Sequence, residues 1–132
     1  MLSKLIIIYY YTIQMNLLSD TKMTRTEIFT ILERIRSMLQ TTIIESARIE
    51  EDIDLGCVFV KCRNICIQLD CPKGYLSRRS GVCDFIAKGY IYLRNIFVNG
   101  KSILGSKEIT REITMFNQGA VIADIMSACE NK

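Results

Sequence analysis

This chain of 132 residues has six cysteines and no histidine. Cysteine is therefore the first residue type to consider for metal binding or nucleophilic catalysis. Five lie close together in the sequence, at Cys57, Cys62, Cys66, Cys71 and Cys83. Their spacing differs from the CxxC pairs of zinc ribbons. Without histidine the chain has no Cys–His dyad, no serine triad and no His-liganded metal site. We therefore predict no metal centre, no cofactor and no catalytic residue, and a protein that is not an enzyme.

A basic stretch offers a second kind of chemistry, the binding of phosphate groups. Lys73, Arg78 and Arg79 lie between Pro72 and Val82 without an intervening acid. Three further cations of the candidate site follow in the sequence, at Lys101, Lys107 and Arg111. Because clustered cations bind the nucleic-acid backbone, the sequence favours binding of single-stranded DNA or RNA through a basic loop and sheet surface. The net charge of +3 is well below that of a general nucleic-acid coat.

Tyrosines and acids flank this basic stretch. Tyr75, Tyr90 and Tyr92 are candidate stacking platforms for bases, although the alternation of Tyr90 and Tyr92 also fits the buried face of a strand. Acidic residues are concentrated on the N-terminal side, at Glu45, Glu50, Glu51, Asp52 and Asp54. Short runs of charge are usually solvated, so we interpret this run as a linker.

The first element that must position these groups is a helix. Thr24-Arg25-Thr26-Glu27 matches a capping box, in which the threonine hydroxyl and the glutamate carboxylate accept from each other's backbone N–H groups. Apolar residues then recur at steps of three and four residues as far as Leu39. This pattern predicts a helix over residues 26–39 with one apolar face.

Two hairpins follow this helix in the sequence. The runs 58–62 and 65–69 flank Arg63-Asn64, and a turn at that pair places apolar residues opposite one another on one face. Asn99-Gly100 marks the second hairpin, because both residues accept positive φ. Strand-like runs at 82–86 and 90–93 lie between them. The pattern predicts an antiparallel sheet of four to six strands.

A second helix is predicted after the hairpins. Ser106 is placed to cap it, and Gly119 weakens it. Its apolar stripe contains Ile109, Ile113, Phe116, Ala120, Ala123 and either Met126 or Ser127. With an N-terminal and a C-terminal helix around an antiparallel meander, the predicted fold is α+β, with both helices packed on one face of the sheet.

The predicted domain is a single α+β unit over residues 23–132, because a chain of this length can bury a core without metal or disulfides. Residues 1–22 contain Lys4 followed by apolar residues as far as Ile13. This segment fits a signal peptide, a peripheral membrane contact, a strand or, as we favour, an upstream extension. It is too short to span a bilayer as a helix, so we predict no transmembrane span.

The cysteines also indicate a compartment. They lie within β-branched runs, where free cysteine behaves as a small hydrophobic residue, although an even number also suits three disulfides. We expect a reducing environment, the cytoplasm or nucleus, with secretion through the apolar N-terminus as the alternative.

The stretch 56–71, GCVFVKCRNICIQLDC, lies between the acidic run and the basic loop. It resembles the small accessory proteins of nanovirus-type multipartite plant single-stranded DNA viruses. The resemblance carries over no functional residue, and the chain lacks the Leu-x-Cys-x-Glu motif that binds retinoblastoma proteins. It implies a non-enzymatic interaction module that acts on a host or viral protein inside the host cell, with self-association through an edge strand as a further option. Nucleic-acid binding is the alternative function.

Overall fold

The computed structural model describes residues 22–52, 54–71, 88–104 and 111–130 of the chain. Helix α1 spans Arg25–Ile43 and helix α2 spans Gln118–Glu130. The strands are β1 (Met23–Thr24), β2 (Arg48–Asp52), β3 (Cys57–Cys62), β4 (Ile65–Asp70), β5 (Lys88–Gly89), β6 (Ile91–Val98), β7 (Lys101–Ser102) and β8 (Arg111–Ile113). The fold is α+β, as the sequence predicts. Neither described helix is long and apolar enough to cross a membrane.

The main sheet is antiparallel, with strands β2, β3, β4 and β6 side by side and with β7 and β8 on opposite halves of the remaining edge of β6. Strands β1 and β5 form a separate two-stranded ladder. The first hairpin has the predicted register, with Val60 opposite Ile67 and Arg63 in the turn at φ 56°. The second turn is confirmed at Asn99 and Gly100, whose φ angles are 54° and 77°.

One face of the sheet, which we call the inner face, shares a single core with both helices. The strands contribute Val58, Val60, Cys62, Ile65, Ile67, Leu69, Ile91, Leu93, Ile96, Val98 and Ile113 to this core. The helices contribute Ile28, Ile31, Leu32, Ile35, Leu39, Val121, Ile125 and Cys129. Burial of one such aliphatic side chain contributes about 1.5–3 kcal/mol, so this packing holds both helices on the inner face.

The start of α1 is the predicted capping box. The Thr24 N–H donates to Glu27 Oε1 at 2.9 Å, and the Glu27 N–H donates to Thr24 Oγ1 at 3.1 Å. Both orphan donors are thereby satisfied. The helix continues beyond the predicted end and stops at Ile43, because Ile44 adopts a left-handed conformation with φ 61°.

The acidic run that we interpreted as a linker is strand β2 over Arg48–Asp52. Ile49 lies opposite Val60 and packs against the core. Glu50 accepts from Lys61 at 2.8 Å and from Arg48 at 2.6 Å, and these two contacts lower the pKa of its carboxyl group. Pairing with β3 therefore overrides the low strand propensity of the acids.

The predicted stripe of the second helix is wrong. Ile113 is a buried residue of strand β8 rather than of a helix, and Phe116 is exposed. The buried residues of α2 are instead Val121, Ile125 and Cys129, which recur every four residues. The proposed cap Ser106, the strand-like run 82–86 and the N-terminal residues 1–21 lie outside the described residues.

Candidate interaction surface

The predicted nucleic-acid residues are only partly described. Lys73, Arg78, Arg79 and Lys107 lie outside the described residues. Lys101 lies opposite Val98, and Arg111 lies opposite Leu93 on the same edge of β6, which separates the two cations by about 16 Å along the strand. Lys101 is exposed, whereas Arg111 forms an ion pair with Asp124 of α2. The structure therefore does not bring these two cations together.

A hydrogen-bonded turn, Thr114 to Asn117, connects β8 to α2. The Thr114 N–H donates to Asn117 Oδ1 at 2.7 Å, and the Asn117 N–H donates to Thr114 Oγ1 at 3.1 Å. The same hydroxyl also accepts from the Phe116 N–H at 3.2 Å, and Asn117 Nδ2 donates to the Glu112 carbonyl at 2.9 Å. The Gln118 N–H donates to the Thr114 carbonyl at 3.0 Å, a helical bond. The turn thus has the reciprocal hydrogen bonds of a capping box, with asparagine in place of the usual glutamate, and it ends one residue before α2 begins at Gln118.

This turn displays two large apolar side chains. Met115 is 45% exposed and Phe116 is 62% exposed. We call this pair the apolar knob. Because the backbone that carries it is fixed by reciprocal hydrogen bonds, the two side chains project from a rigid support rather than from a free loop.

The base of the knob contacts α1. A small cavity of about 100 Å³ between α1 and the turn is lined by Thr26, Glu27, Thr30, Ile31, Arg34, Met115 and Gln118. Beside it, Arg34 donates to Gln118 Oε1 at 2.7 Å and connects the middle of α1 to the first residue of α2. Met115 therefore forms one wall of a groove, while Phe116 projects more fully into solvent.

We call the face of the sheet opposite the helices the outer face. Its acidic and basic side chains lie in separate rows across the strands. Partners directly opposite in a ladder have their side chains on the same face, about 5 Å apart. One row across the strands reads Asp52, Cys57, Asp70, Tyr92 and Glu112. A second row reads Arg48, Lys61, Cys66, Phe97 and Ser102. The first, which we call the acidic row, holds three acids and no base, and the second, the basic row, holds two bases and no acid.

The acidic row borders a recess at the end of β6 near the knob. The described residues that line it are Asp70, Cys71, Tyr90 and Tyr92, and its volume is about 360 Å³. We call it the tyrosine recess. Of the two alternatives for Tyr90 and Tyr92, the buried face of the strand is excluded, because their neighbours Ile91 and Leu93 are the buried residues. Tyr90 is exposed and Tyr92 is half-buried.

The tyrosine recess and the apolar knob lie at the same end of the sheet. Ile91 and Ile113 are ladder partners, Tyr90 precedes the first, and Thr114 follows the second. Tyr90 is itself exposed. Sequence reasoning missed the knob because its asparagine-based capping box departs from the usual glutamate or glutamine at N3. The pattern Thr-x-x-Asn before α2 was the available signal.

The thiols of the described cysteines are protonated at neutral pH. Burial raises the pKa of Cys71 to about 12 and that of Cys129 to about 11. The pKa of Cys57 is raised by burial first, and then by Asp52 and Asp70. A thiol with a raised pKa is a poor nucleophile and a poor metal ligand. Among the described residues no cluster of His, Cys, Asp or Glu is arranged to hold a metal ion.

Comparison of the chain with protein-family models, with curated proteins and with solved structures finds no match. The function therefore has to be argued from the surface just described.

Proposed function

We propose that this protein is a non-enzymatic interaction module that binds another protein through the apolar knob, Met115 and Phe116. The observation that carries the proposal is the exposure of these two side chains on a turn fixed by a capping box. Large apolar side chains on a rigid support bind with little loss of conformational entropy, and such residues serve as anchors at the centres of protein interfaces.

The surroundings of the knob support a protein partner. The groove beside Met115 gives an apolar anchor of the partner a place to enter, and exposed Tyr90 lies at the same end of the sheet. Tyrosine next to apolar anchors is typical of protein interfaces. The resemblance to nanovirus-type accessory proteins remains a prediction, and under it the partner is a protein of the host plant cell or of the virus.

The described charges give less support to nucleic acid as the partner. Arg111 is already paired with Asp124, and the sheet end next to the knob carries the acids Asp70 and Glu112. Phosphates are repelled by such a surface. Binding through Lys73, Arg78, Arg79, Lys101, Lys107 and Arg111 stays the alternative prediction.

Site-specific cross-linking tests the proposal. The full-length protein, with Phe116→p-benzoylphenylalanine, is expressed in the cells that naturally produce it and irradiated. A matched control carries the same amino acid at Leu55, which is 72% exposed in the turn between β2 and β3. We expect position 116 to give a discrete protein adduct by mass spectrometry and position 55 to give none. Equal adducts at both positions, or none at 116, would contradict the proposal.

Affinity capture of the partner identified from that adduct, without cross-linking, measures the contribution of the knob. The double change Met115→Ser with Phe116→Ser removes both anchors, and Leu55→Ser with Ile44→Ser is the matched surface control. We expect at least about a tenfold loss of captured partner for the knob variant only, the size typical of interface hot spots. Nuclease treatment distinguishes protein binding from nucleic-acid binding. A complex held together by nucleic acid is lost when the nucleic acid is digested, and its yield is the same for the knob variant as for the unmodified protein.

A further inference from the structure

The turn that joins β6 to β7 contains the one Asn-Gly pair of the sequence. Asn99 precedes Gly100, whereas the other five asparagines precede leucine, isoleucine, glutamine or lysine. In an Asn-Gly pair the backbone nitrogen of the glycine can attack the side-chain carbonyl carbon of the asparagine, because no Cβ atom shields it. Asparagine is among the thermolabile residues of proteins. The turn is therefore a candidate site of chemical modification.

The structure leaves this pair open to solvent. Asn99 and Gly100 are both exposed, and a Cβ atom added to Gly100 meets nothing within 4 Å. Strand β7, which follows the turn, has only two residues, and both are exposed. A short exposed strand at the edge of a sheet belongs to the least stable part of a fold. Water therefore reaches the reacting groups without any change in the core.

A side chain from the neighbouring turn holds the amide of Asn99. Asn64, between β3 and β4, donates from Nδ2 to Asn99 Oδ1 at 2.9 Å. The Asn99 N–H donates to the Asn64 carbonyl at 3.0 Å, so the backbone also joins the two turns. The turns are adjacent because Ile65 pairs with Val98. To reach the nitrogen of Gly100, the Asn99 side chain has to rotate and give up its contact with Asn64.

We propose that Asn99 is a site of spontaneous deamidation and that the side chain of Asn64 slows the reaction. The Gly100 nitrogen loses its proton and bonds to Asn99 Cγ, the side-chain nitrogen leaves as ammonia, and a cyclic succinimide forms. Water then opens the ring at either carbonyl and gives aspartate or isoaspartate. Isoaspartate lengthens the main chain of a two-residue turn, so in that product the pairing of Val98 with Lys101 is lost.

Incubation of the full chain at mildly alkaline pH tests the site. Samples are taken over time, and peptide mass spectrometry measures the fraction of each asparagine that has become an acid. We expect Asn99 to be converted before any other asparagine. We also expect conversion to be slower in the folded protein than in protein unfolded by urea, because only the fold places Asn64 against Asn99.

Two variants test the role of Asn64. Asn64→Ala removes the side-chain donor and keeps the backbone bond, and the position has no positive φ that would strain alanine. We expect folded Asn64→Ala to deamidate about fivefold faster, the factor that corresponds to one hydrogen bond, and at the rate of the parent protein in urea. Ser102→Ala is the matched control, because it removes the 2.6 Å contact with Asn95 Oδ1 in the same hairpin without altering any group that contacts Asn99. It should leave the rate unchanged, with circular dichroism showing that both variants are folded.

Three results would overturn the proposal. They are equal rates in the folded and unfolded parent protein, an unchanged rate in folded Asn64→Ala, and an equal acceleration by Ser102→Ala, which would show that opening of the hairpin sets the rate.

The proposal is independent of the apolar knob. The Asn-Gly turn follows Val98 at one end of β6, whereas Ile113, which precedes the turn that carries the knob, pairs with Ile91 at the other end. Cross-linking at position 116 should therefore give the same adduct before and after deamidation. Failure of either proposal leaves the other standing.

Discussion

The two helices of this protein begin in the same way and use that beginning differently. Thr24 caps α1 directly, with Glu27 at N3, and Thr114 forms the same reciprocal hydrogen bonds with Asn117 in the turn that ends just before α2. In α1 the residue before the cap, Met23, and the N4 residue, Ile28, are both buried in the core. This is the arrangement of a hydrophobic staple.

The start of α2 has no such staple. The fourth residue after Thr114 is the polar Gln118, and the apolar residues Met115 and Phe116 occupy the first two positions after the threonine and are exposed. A staple stabilises the fold by burying two apolar side chains, whereas the exposed apolar side chains of the knob add little to the stability of the fold. The start of the first helix therefore stabilises the fold, whereas the turn before the second helix leaves its apolar residues exposed for binding.

The sharpest test of this contrast compares one apolar residue from each helix start. Ile28→Ala removes a fully buried side chain and should lower the free energy of unfolding by about 3 kcal/mol. Phe116→Ala removes a larger but exposed side chain and should change it by less than about 0.5 kcal/mol. Urea denaturation followed by circular dichroism measures both. A large loss for Phe116→Ala would show that the knob is part of the core.

Thr24 and Thr114 should contribute equally to the stability of the fold and unequally to binding of the partner. Thr24→Ala and Thr114→Ala each leave backbone donors without an acceptor and should each cost about 1 kcal/mol. Only Thr114→Ala also loosens the turn that carries the knob, so only this variant should reduce capture of the partner cross-linked at position 116. Equal capture by both variants would mean that rigidity of the turn is not required.

Much of the fold was predictable because it depends on short-range patterns. The capping box at Thr24 and the alternation on either side of Arg63-Asn64 were sufficient for α1 and the first hairpin. Strand β2 was not predictable, since Glu50 and its acidic neighbours disfavour a strand until β3 pairs with them.

The candidate site depends on long-range register and was not predictable. Asp70, Tyr92 and Glu112 form one row only because strands distant in sequence pair with a particular alignment. Phe116 is exposed because α2 begins only at Gln118, so Phe116 lies in the preceding turn rather than on the predicted apolar stripe of the helix. The basic loop was the stronger signal in the sequence, but the described surface gives more support to protein binding.

Substitution of Gly119 is expected to give a small change in the free energy of unfolding, and it should raise that free energy rather than lower it. Gly119 is the second residue of α2, and a Cβ atom added there meets nothing within 4 Å. Gly119→Ala should therefore raise the free energy of unfolding by about 0.5–1 kcal/mol, because alanine loses less backbone entropy on folding. Gly100→Ala is the control, since Gly100 has φ +77° and alanine is strained there despite the open space around it. We expect thermal unfolding to move upward for the first variant and downward for the second. A rise for Gly119→Ala with unchanged cross-linking at position 116 would show that α2 can be stabilised without touching the knob, whereas a fall would mean that the helix start needs the freedom of glycine.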